Sequence, residues 1–172
     1  MQGIPLNERK RLGALLDDRP QAEVMAMIPQ FSQAETDNFV APPAQIPEAL
    51  GVLMFNMERG VNLPEIQEFL RDCPDIQPFD VILANELDDG CARSGNKNTA
   101  RELAQAFGLN YAWGLEFIEL VNDENAKGFH GNAVFSRWPI RRAGVIRLPE
   151  QYNWYFDRQK RIGGRLAVFA EL

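Results

Sequence analysis

Two short apolar runs, each followed directly by polar residues, stand out in the central part of the chain. Residues 52–55 and 81–84 have the length and composition of buried strands. Because residues two apart in a strand face the same side, Asn56 and Glu58 should share one side of the first strand. The second run leads to a lone acid, Glu86, and in open α/β architectures ligands bind beyond the carboxyl ends of the strands. Glu86 is therefore the first candidate for a functional residue, against the alternative of an acidic loop after a strand.

Helical spacing of apolar residues predicts a helix between these two strands. Pro64 suits the first turn of a helix, because the first turn does not need its missing N–H. The apolar residues Ile66, Phe69 and Leu70 would form the buried face. Strand, helix and strand together make a βαβ-like unit that ends at Glu86.

A second helix and four further strands are predicted after Glu86. Thr99 and Glu102 have the spacing of a capping box, and Gly108 is a natural helix stop. Alternating and apolar segments separated by polar or proline-bearing connections then predict strands over residues 111–120, 131–136, 144–148 and 165–172.

Residues 1–47 have the pattern of an N-terminal appendage, partly helical and partly extended. Apolar residues recur at helical intervals between Leu6 and Leu16, and residues 23–28 predict a second short helix before Pro29. Residues 39–47 are too rich in proline for regular structure and predict an extended connector. The domain proper is expected to span residues 48–172.

Composition narrows the class of protein. The chain has 172 residues, of which 45% are hydrophobic and 24% charged, which is typical of one globular domain. It contains no transmembrane segment, and its charged N-terminus does not resemble a signal peptide, so a soluble, cytoplasmic protein is predicted. The two cysteines, Cys73 and Cys91, lack metal-site spacing and are expected to be free thiols. A net charge of -6 argues against a broad nucleic-acid-binding face.

Two polar segments offer candidate substrate contacts. The loop after Glu86 contains Arg93 and Lys97, whose cationic side chains could touch a phosphate; a solvated loop before a helix explains them nearly as well. Residues 152–161 interleave aromatic and basic side chains, a composition suited to stacking on bases. Packing of the aromatic rings beneath a long loop is the favoured interpretation of that second segment.

Taken in order, four segments resemble the endonuclease/exonuclease/phosphatase superfamily of metal-dependent phosphodiesterases. Residues 55–58 (Phe-Asn-Met-Glu) are similar to its first-strand motif, and residues 80–86 (Asp-Val-Ile-Leu-Ala-Asn-Glu) to the motif that ends in its metal-binding Glu. Residues 131–140 (Gly-Asn-Ala-Val-Phe-Ser-Arg-Trp-Pro-Ile) resemble its Ser-Arg-x-Pro-Ile signature, and residues 164–170 the strand that follows. The resemblance covers about residues 50–172, and Asn85 stands where the commoner residue is Gln.

This resemblance implies a fold, a cofactor and roles for residues. The implied fold is α+β, part of a DNase-I-like four-layer α/β/β/α sandwich. The implied cofactor is Mg²⁺ or Mn²⁺, held by Glu86, with Asn56 positioning the metal or the phosphate and Glu58 in a supporting role. Mg²⁺ binds oxygen ligands and needs only one or two carboxylates besides substrate phosphate oxygens. Arg93 and Lys97 would be weaker substrate contacts.

The family pattern continues past the motifs present here. Members have a later Asp-x-Asn motif and a closing Asp-His pair, and after the single histidine, His130, the sequence contains neither. His130 itself is expected to be a structural histidine ahead of a strand. The expected fold is accordingly incomplete at its C-terminus, carrying the first half of an active site, with weak metal binding and negligible turnover. Exposed sheet surfaces would favour self-association or pairing with a missing C-terminal half.

Three functional interpretations stay open at this point. The first is a divalent-metal-dependent phosphoesterase acting on a nucleic acid, a lipid or a small phosphate ester. The second is a non-catalytic fragment or interaction module that keeps part of the fold. The third, a small-molecule α/β binder, is weakened because the sequence has no glycine-rich phosphate loop.

Overall fold

A computed structural model describes residues 1–150, 152–156 and 158–172 as a mixed α+β structure. Four α-helices are described: α1 Leu6–Ala14, α2 Gln21–Ala26, α3 Leu63–Asp72 and α4 Thr99–Phe107. Eight strands are described: β1 Ala34–Asp37, β2 Val52–Arg59, β3 Val81–Asp89, β4 Asn110–Glu119, β5 Phe129–Ser136, β6 Arg142–Arg147, β7 Arg161–Gly163 and β8 Leu166–Glu171. The α+β class is thus confirmed, while membership of a DNase-I-like four-layer sandwich, of which the chain is expected to form a part, stays a prediction.

Six of the strands form one sheet, in the order β1-β4-β5-β3-β2, with β7 pairing with the far end of β4. Strands β2 and β3 are parallel and joined through α3, as the βαβ pattern predicted. The other pairs in this sheet are antiparallel. Strands β6 and β8 form a separate two-stranded antiparallel sheet.

Each face of the large sheet has a different cover. On one face, Phe55 of β2 stacks on Phe69 of α3 with ring centroids 5.9 Å apart, and Leu103 of α4 is fully buried. On the other face, Gly114 of β4 lies beneath the β6–β8 sheet. A Cβ atom at Gly114 would sit 3.0 Å from the side chain of Val145, which shows that the sheets are in close contact there.

The N-terminal residues contribute to the same sheet and the same core. Strand β1 pairs with β4, and Leu12, Leu16 and Val24 belong to the main hydrophobic cluster. Residues 39–47 contain no helix or strand, in agreement with the predicted connector. The division of the chain at residue 48 stays a prediction.

The sequence patterns predicted the long helices and strands, but they missed two short strands and the residue that caps α4. The strands β1 and β7 are short and were not predicted. The cap of α4 was predicted wrongly: the Asn98 side chain, not that of Thr99, accepts the hydrogen bond at the helix start, from the N–H of Arg101 at 2.9 Å. The Thr99 hydroxyl instead donates to the carbonyl of Asp88 at 2.8 Å. Gly108 ends α4 in the left-handed conformation, as predicted.

None of the helices in the described part of the chain combines the length and apolar character needed to cross a bilayer.

Gly131 of β5 lies in close contact with the paired strand β4, and substituting it tests that contact. A Cβ atom there would lie 2.0 Å from the carbonyl oxygen of Gly114 and 2.7 Å from the ring of Trp113. We expect Gly131→Ala to lower the free energy of unfolding by about 1–3 kcal/mol, as overpacking does. Gly144→Ala is the matched control, because a Cβ atom at Gly144 meets nothing within 4 Å. Chemical denaturation of both variants measures the difference; equal stabilities would contradict the expected clash.

Candidate functional site

The register of strand pairing shifts in three adjacent strand pairs of the large sheet, close to Asn56 and Glu86. The pairing of β3 with β5 shifts between Ala84 and Leu87, so that Asn85 and Glu86 face the single residue Asn132. The β2–β3 pairing shifts between Asn56 and Arg59, and the β4–β5 pairing shifts between Leu115 and Phe117. β-Bulges of this kind redirect side chains and are frequent next to active sites.

Each of these irregularities carries a glutamate. Glu58 lies in the shift on β2, Glu86 in the bulge on β3 and Glu116 in the shift on β4. Glu58 and Glu86 have positive φ angles of 46° and 58°. A non-glycine residue in this region is strained by about 1–3 kcal/mol, and such residues cluster at functional sites. The hydrophobic pattern of the sequence did not reveal this strain.

The backbone of Glu86 is held by a side chain from the neighbouring strand. Its N–H donates to the Oδ1 atom of Asn132 at 3.2 Å, and its side chain is half-buried. Sequence reasoning assigned no role to Asn132, although it lies in the segment that resembles the family signature. The bulge also corrects one expectation: Glu86 lies inside β3 and not beyond its end, because pairing resumes at Leu87.

Asn56 and Glu58 lie next to this bulge on the edge strand. Asn56 is paired in register with Asn85, which places it beside Glu86 on the adjacent parallel strand. Its Oδ1 atom accepts a hydrogen bond from the N–H of Glu58 at 2.8 Å. Both side chains are exposed to solvent. The structure therefore brings three of the predicted site residues together at one place on the sheet.

The two predicted basic contacts bind other residues. Arg93 donates to both carboxylate oxygens of Asp88, at 2.7 and 2.8 Å, and to Glu119 at 3.0 Å. Lys97 pairs with Glu102 at 3.1 Å on the surface of α4. The Arg93 guanidinium is committed to a structural ion pair, because it neutralises a carboxylate that is fully buried.

Asp88 is the centre of a buried polar cluster. His130 Nδ1 lies 2.8 Å from Asp88 Oδ1, and the Ser94 hydroxyl donates to Asp88 Oδ2 at 3.2 Å. Burial alone would raise the pKa of Asp88, but hydrogen bonds from Arg93 and His130 outweigh it and hold that pKa below its ordinary value. The cluster is therefore anionic at its centre, and it depends on the Arg93 guanidinium to neutralise that charge.

His130 and the cysteines have structural surroundings. His130 lies within β5, not in the loop before it as expected, and only 3% of it is exposed. Cys73 and Cys91 are free thiols, as predicted. Burial raises the pKa of the Cys91 thiol, whose Sγ donates to the carbonyl of Phe129. Arg137 pairs with Asp80 at 3.5 Å.

The aromatic and basic segment near residue 155 packs onto the protein. The ring of Trp154 lies 5.2 Å from that of Phe117 in an edge-to-face contact, and Arg165 stacks over Trp154 at 5.1 Å. Tyr155 is buried, and Lys160 lies over its ring. These contacts favour the packing interpretation over a surface for stacking bases.

Within the described residues, no group of three or more His, Cys, Asp or Glu side chains is arranged to hold a metal ion. The oxygen donors near the bulge include the Glu86 carboxylate, the Glu58 carboxylate and the Asn56 amide, besides the amides of Asn85 and Asn132. A small set of hard oxygen donors is what Mg²⁺ uses when substrate and water complete its coordination.

Asp88 gives a test of the buried cluster through pH. Because its pKa is lowered in the folded protein, its contribution to stability is full above the ordinary value of 3.8 and is lost as pH falls through the lower folded pKa. We expect Asp88→Asn to cost about 3 kcal/mol at neutral pH and to flatten the loss of stability below about pH 4.

The exposed pair of Lys10 and Asp123 supplies the control for that experiment. Asp123→Asn should cost less than about 1 kcal/mol, because surface ion pairs contribute little. Urea unfolding between neutral and acid pH measures both variants. A cost for Asp88→Asn no larger than that for Asp123→Asn would contradict the role assigned to Asp88.

Comparison of the chain with protein-family models, with curated proteins and with solved structures found no match.

Proposed function

We propose that the chain supplies the metal-binding side of a divalent-metal-dependent phosphoesterase related to the endonuclease/exonuclease/phosphatase superfamily. The observation that carries this proposal is the meeting of Asn56, Glu58 and Glu86 at aligned irregularities of β2 and β3. The left-handed backbone of Glu58 and Glu86 costs stability, and strained residues of this kind cluster at functional sites. The four ordered segments of family resemblance support the same proposal.

The residues at the bulge fit a weakly bound Mg²⁺ or Mn²⁺ ion. Glu86 is the direct ligand in this proposal, and Glu58 lies on the adjacent strand as a second carboxylate. The Oδ1 atom of Asn56 is already engaged by the N–H of Glu58, so the group that Asn56 offers a phosphate is its Nδ2 amide. Asn56 is therefore assigned to phosphate positioning. A bound cation would neutralise charge on the phosphoryl oxygens.

Proton transfer is the step for which this chain offers least. General acid–base catalysis needs a group within hydrogen-bond reach of the substrate or its water. The imidazole of His130 is buried and bound to Asp88, and after His130 the sequence has no Asp-x-Asn motif. We accordingly propose slow hydrolysis by the chain alone and make metal binding the first test. The substrate class stays open among nucleic acid, lipid and small phosphate esters.

A second candidate function is an interaction module without catalytic activity. The observation that favours it is an apolar sheet surface next to the proposed site: Met54 of β2 is 74% exposed and Leu83 of β3 is 41% exposed. Large uncovered apolar patches are typical of interaction sites. A metal-binding measurement distinguishes the two candidate functions, because the phosphoesterase requires a bound metal ion and the interaction module does not.

Mn²⁺ titration followed by NMR tests the proposed ligand. We expect Mn²⁺ to broaden the amide signals around Glu86 and Asn132 selectively, because a paramagnetic ion acts at short range. Glu86→Gln should weaken Mn²⁺ affinity at least about tenfold and abolish any Mg²⁺-dependent phosphodiesterase activity. Glu65→Gln, on the exposed side of α3, is the control. Uniform broadening, or equal affinity in both variants, would rule out a site at Glu86.

Asn132 provides an independent test of how Glu86 is positioned. Asn132→Ala removes the acceptor of the Glu86 N–H but leaves every proposed ligand in place. We expect metal affinity to fall by about tenfold, as for other residues that orient a ligand. Asn132→Asp keeps an acceptor oxygen and should restore affinity. If Asn132→Ala binds Mn²⁺ as tightly as the unaltered protein, this hydrogen bond does not position Glu86 for metal binding.

A further inference from the structure

A cleft separate from the proposed metal site lies between the N-terminal segment and the β6–β8 sheet. Its volume is about 400 Å³, within the range of about 300–1,000 Å³ that small-molecule sites occupy. Residues of α2 and of the 3₁₀ turn Pro29–Ser32 line it, together with residues 147–148 and 164–165. No described residue beyond Arg165 lines it, so its walls are formed by the part of the chain that precedes β8.

Most of the surface that α2 contributes to this cleft is hydrocarbon. Ala22, Met25 and Ala26 line the cleft and have helical spacing, so they share one side of α2. Ile28 and Leu148 add further apolar surface. Methionine is unbranched and adapts to irregular shapes, as a binding site for a flexible apolar group requires. The cleft therefore suits a ligand with an apolar body.

Arg147 brings a positive charge to this cleft and is held there by backbone carbonyls. Its Nε and Nη2 atoms donate to the carbonyl of Phe31 at 2.9 and 2.7 Å. Nη2 also donates to the carbonyl of Leu115, and Nη1 donates to that of Gly164 at 3.1 Å. The guanidinium lies 4.8 Å from the centre of the Phe31 ring. These contacts fix its position, but carbonyl groups carry no net charge that would neutralise it.

The carboxylates around the cleft do not pair with Arg147. The buried carboxylate of Glu116 bonds to Arg165 at 3.0 Å, and the exposed Glu150 at the rim forms no ion pair with Arg147. Burial lowers the pKa of Arg147 to about 10, although Glu116 opposes this effect. The guanidinium is thus charged at neutral pH in surroundings that disfavour its charge, and a bound anion would stabilise it.

Gln21 adds an unpartnered polar group beside Arg147. It lines the cleft, is 2% exposed, and its Oε1 atom has no hydrogen-bond partner among the described residues. Buried side-chain oxygens nearly always have a donor, so this one is expected to find it outside the described chain. Arg147 Nη1 bonds to the Gly164 oxygen, and Gln21 Nε2 would lie 3.9 Å from a Cβ atom on Gly164. Both polar groups therefore border the same residue, within reach of one small head group.

We propose that this cleft binds a small 2-hydroxycarboxylate with an apolar side chain. The carboxylate accepts a hydrogen bond from the second N–H of Arg147 Nη1, which has no acceptor among the described residues. The neighbouring hydroxyl donates to the Gln21 carboxamide, which turns about its last torsion to meet it. The hydrocarbon chain lies against α2. Because the carbonyls of Phe31, Leu115 and Gly164 already fix the guanidinium, little freedom is lost on binding.

This inference does not rest on the proposed metal site, because none of the residues at the bulge lines the cleft. Loss of metal binding in Glu86→Gln would leave the carboxylate site unaffected. Failure of the carboxylate site would equally leave the metal site to its own test.

Calorimetric titration of the 172-residue chain with 2-hydroxyoctanoate tests the site. With about eleven non-hydrogen atoms, this probe should bind with a Kd of about 0.1–1 mM. Octanoate lacks the hydroxyl and should bind about threefold more weakly, whereas 1,2-octanediol lacks the charge and should bind at least about tenfold more weakly. NMR should show the largest amide shifts at Ala26 and Gly164. Equal affinity for the three probes, or shifts confined to other surfaces, would overturn the proposal.

Gln21→Glu is the decisive variant, because it places a carboxylate beside Arg147 and so supplies the missing negative charge from the chain itself. It should weaken binding of 2-hydroxyoctanoate at least about tenfold, since it repels the ligand and occupies the guanidinium. Gln33→Glu is the matched control: it adds the same charge at an exposed position that does not line the cleft. Equal affinity of these two variants would contradict the assigned site.

A second variant tests the apolar part of the cleft without changing a buried residue. Ala26 is exposed and lines the cleft, so Ala26→Phe should fill it and weaken binding at least about tenfold while the fold is kept. Met27→Phe, on the next residue, which is 45% exposed and does not line the cleft, should bind as the unaltered protein does. Circular dichroism checks the fold of each variant. Undiminished binding by Ala26→Phe would place the ligand elsewhere and overturn the proposal.

Discussion

Three strands and the loop after β3 meet at one buried carboxylate, that of Asp88. It bonds to Arg93 from the loop and to His130 from β5, and Arg93 also reaches Glu119 of β4. Removing one partner of a buried charge is strongly destabilising, so this cluster favours the alignment of the strands that keeps Arg93 and His130 beside Asp88. The alignment beyond the bulge follows from it, because Asp88 and His130 are paired in register two residues after Glu86.

The pairing of Asp88 with His130 also constrains the shape of the bulge at Glu86. With the ends of β3 and β5 fixed, Asn85 and Glu86 must share the space opposite Asn132, and Glu86 takes a left-handed backbone conformation. The hydrogen bond from the Glu86 N–H to Asn132 compensates part of the strain. A structural ion cluster thereby lies beside Glu86, the proposed metal ligand. Arg93, the cation nearest to Glu86 in sequence, is used to hold that cluster together.

The two faces of the large sheet differ in how completely they are covered. Helices α3 and α4 pack on one face, where Leu70 and Leu103 are fully buried. On the other face the β6–β8 sheet stops short of β3 and leaves Met54 in solvent. The uncovered apolar part of this face continues along β2 and β3 toward Asn56 and the bulge at Glu86.

Local sequence patterns were enough to predict the long helices and strands, the mixed α+β class and Glu86 as a candidate, because apolar periodicity is a local property of the chain. It could also place Asn56 next to Glu86, since parallel strands joined by a helix end at the same edge. The bulges, the cluster at Asp88 and the extent of the uncovered face could be seen only in the folded protein. These depend on contacts such as that between Asp88 and His130, which are 42 residues apart, and no local pattern encodes the pairing of such distant residues.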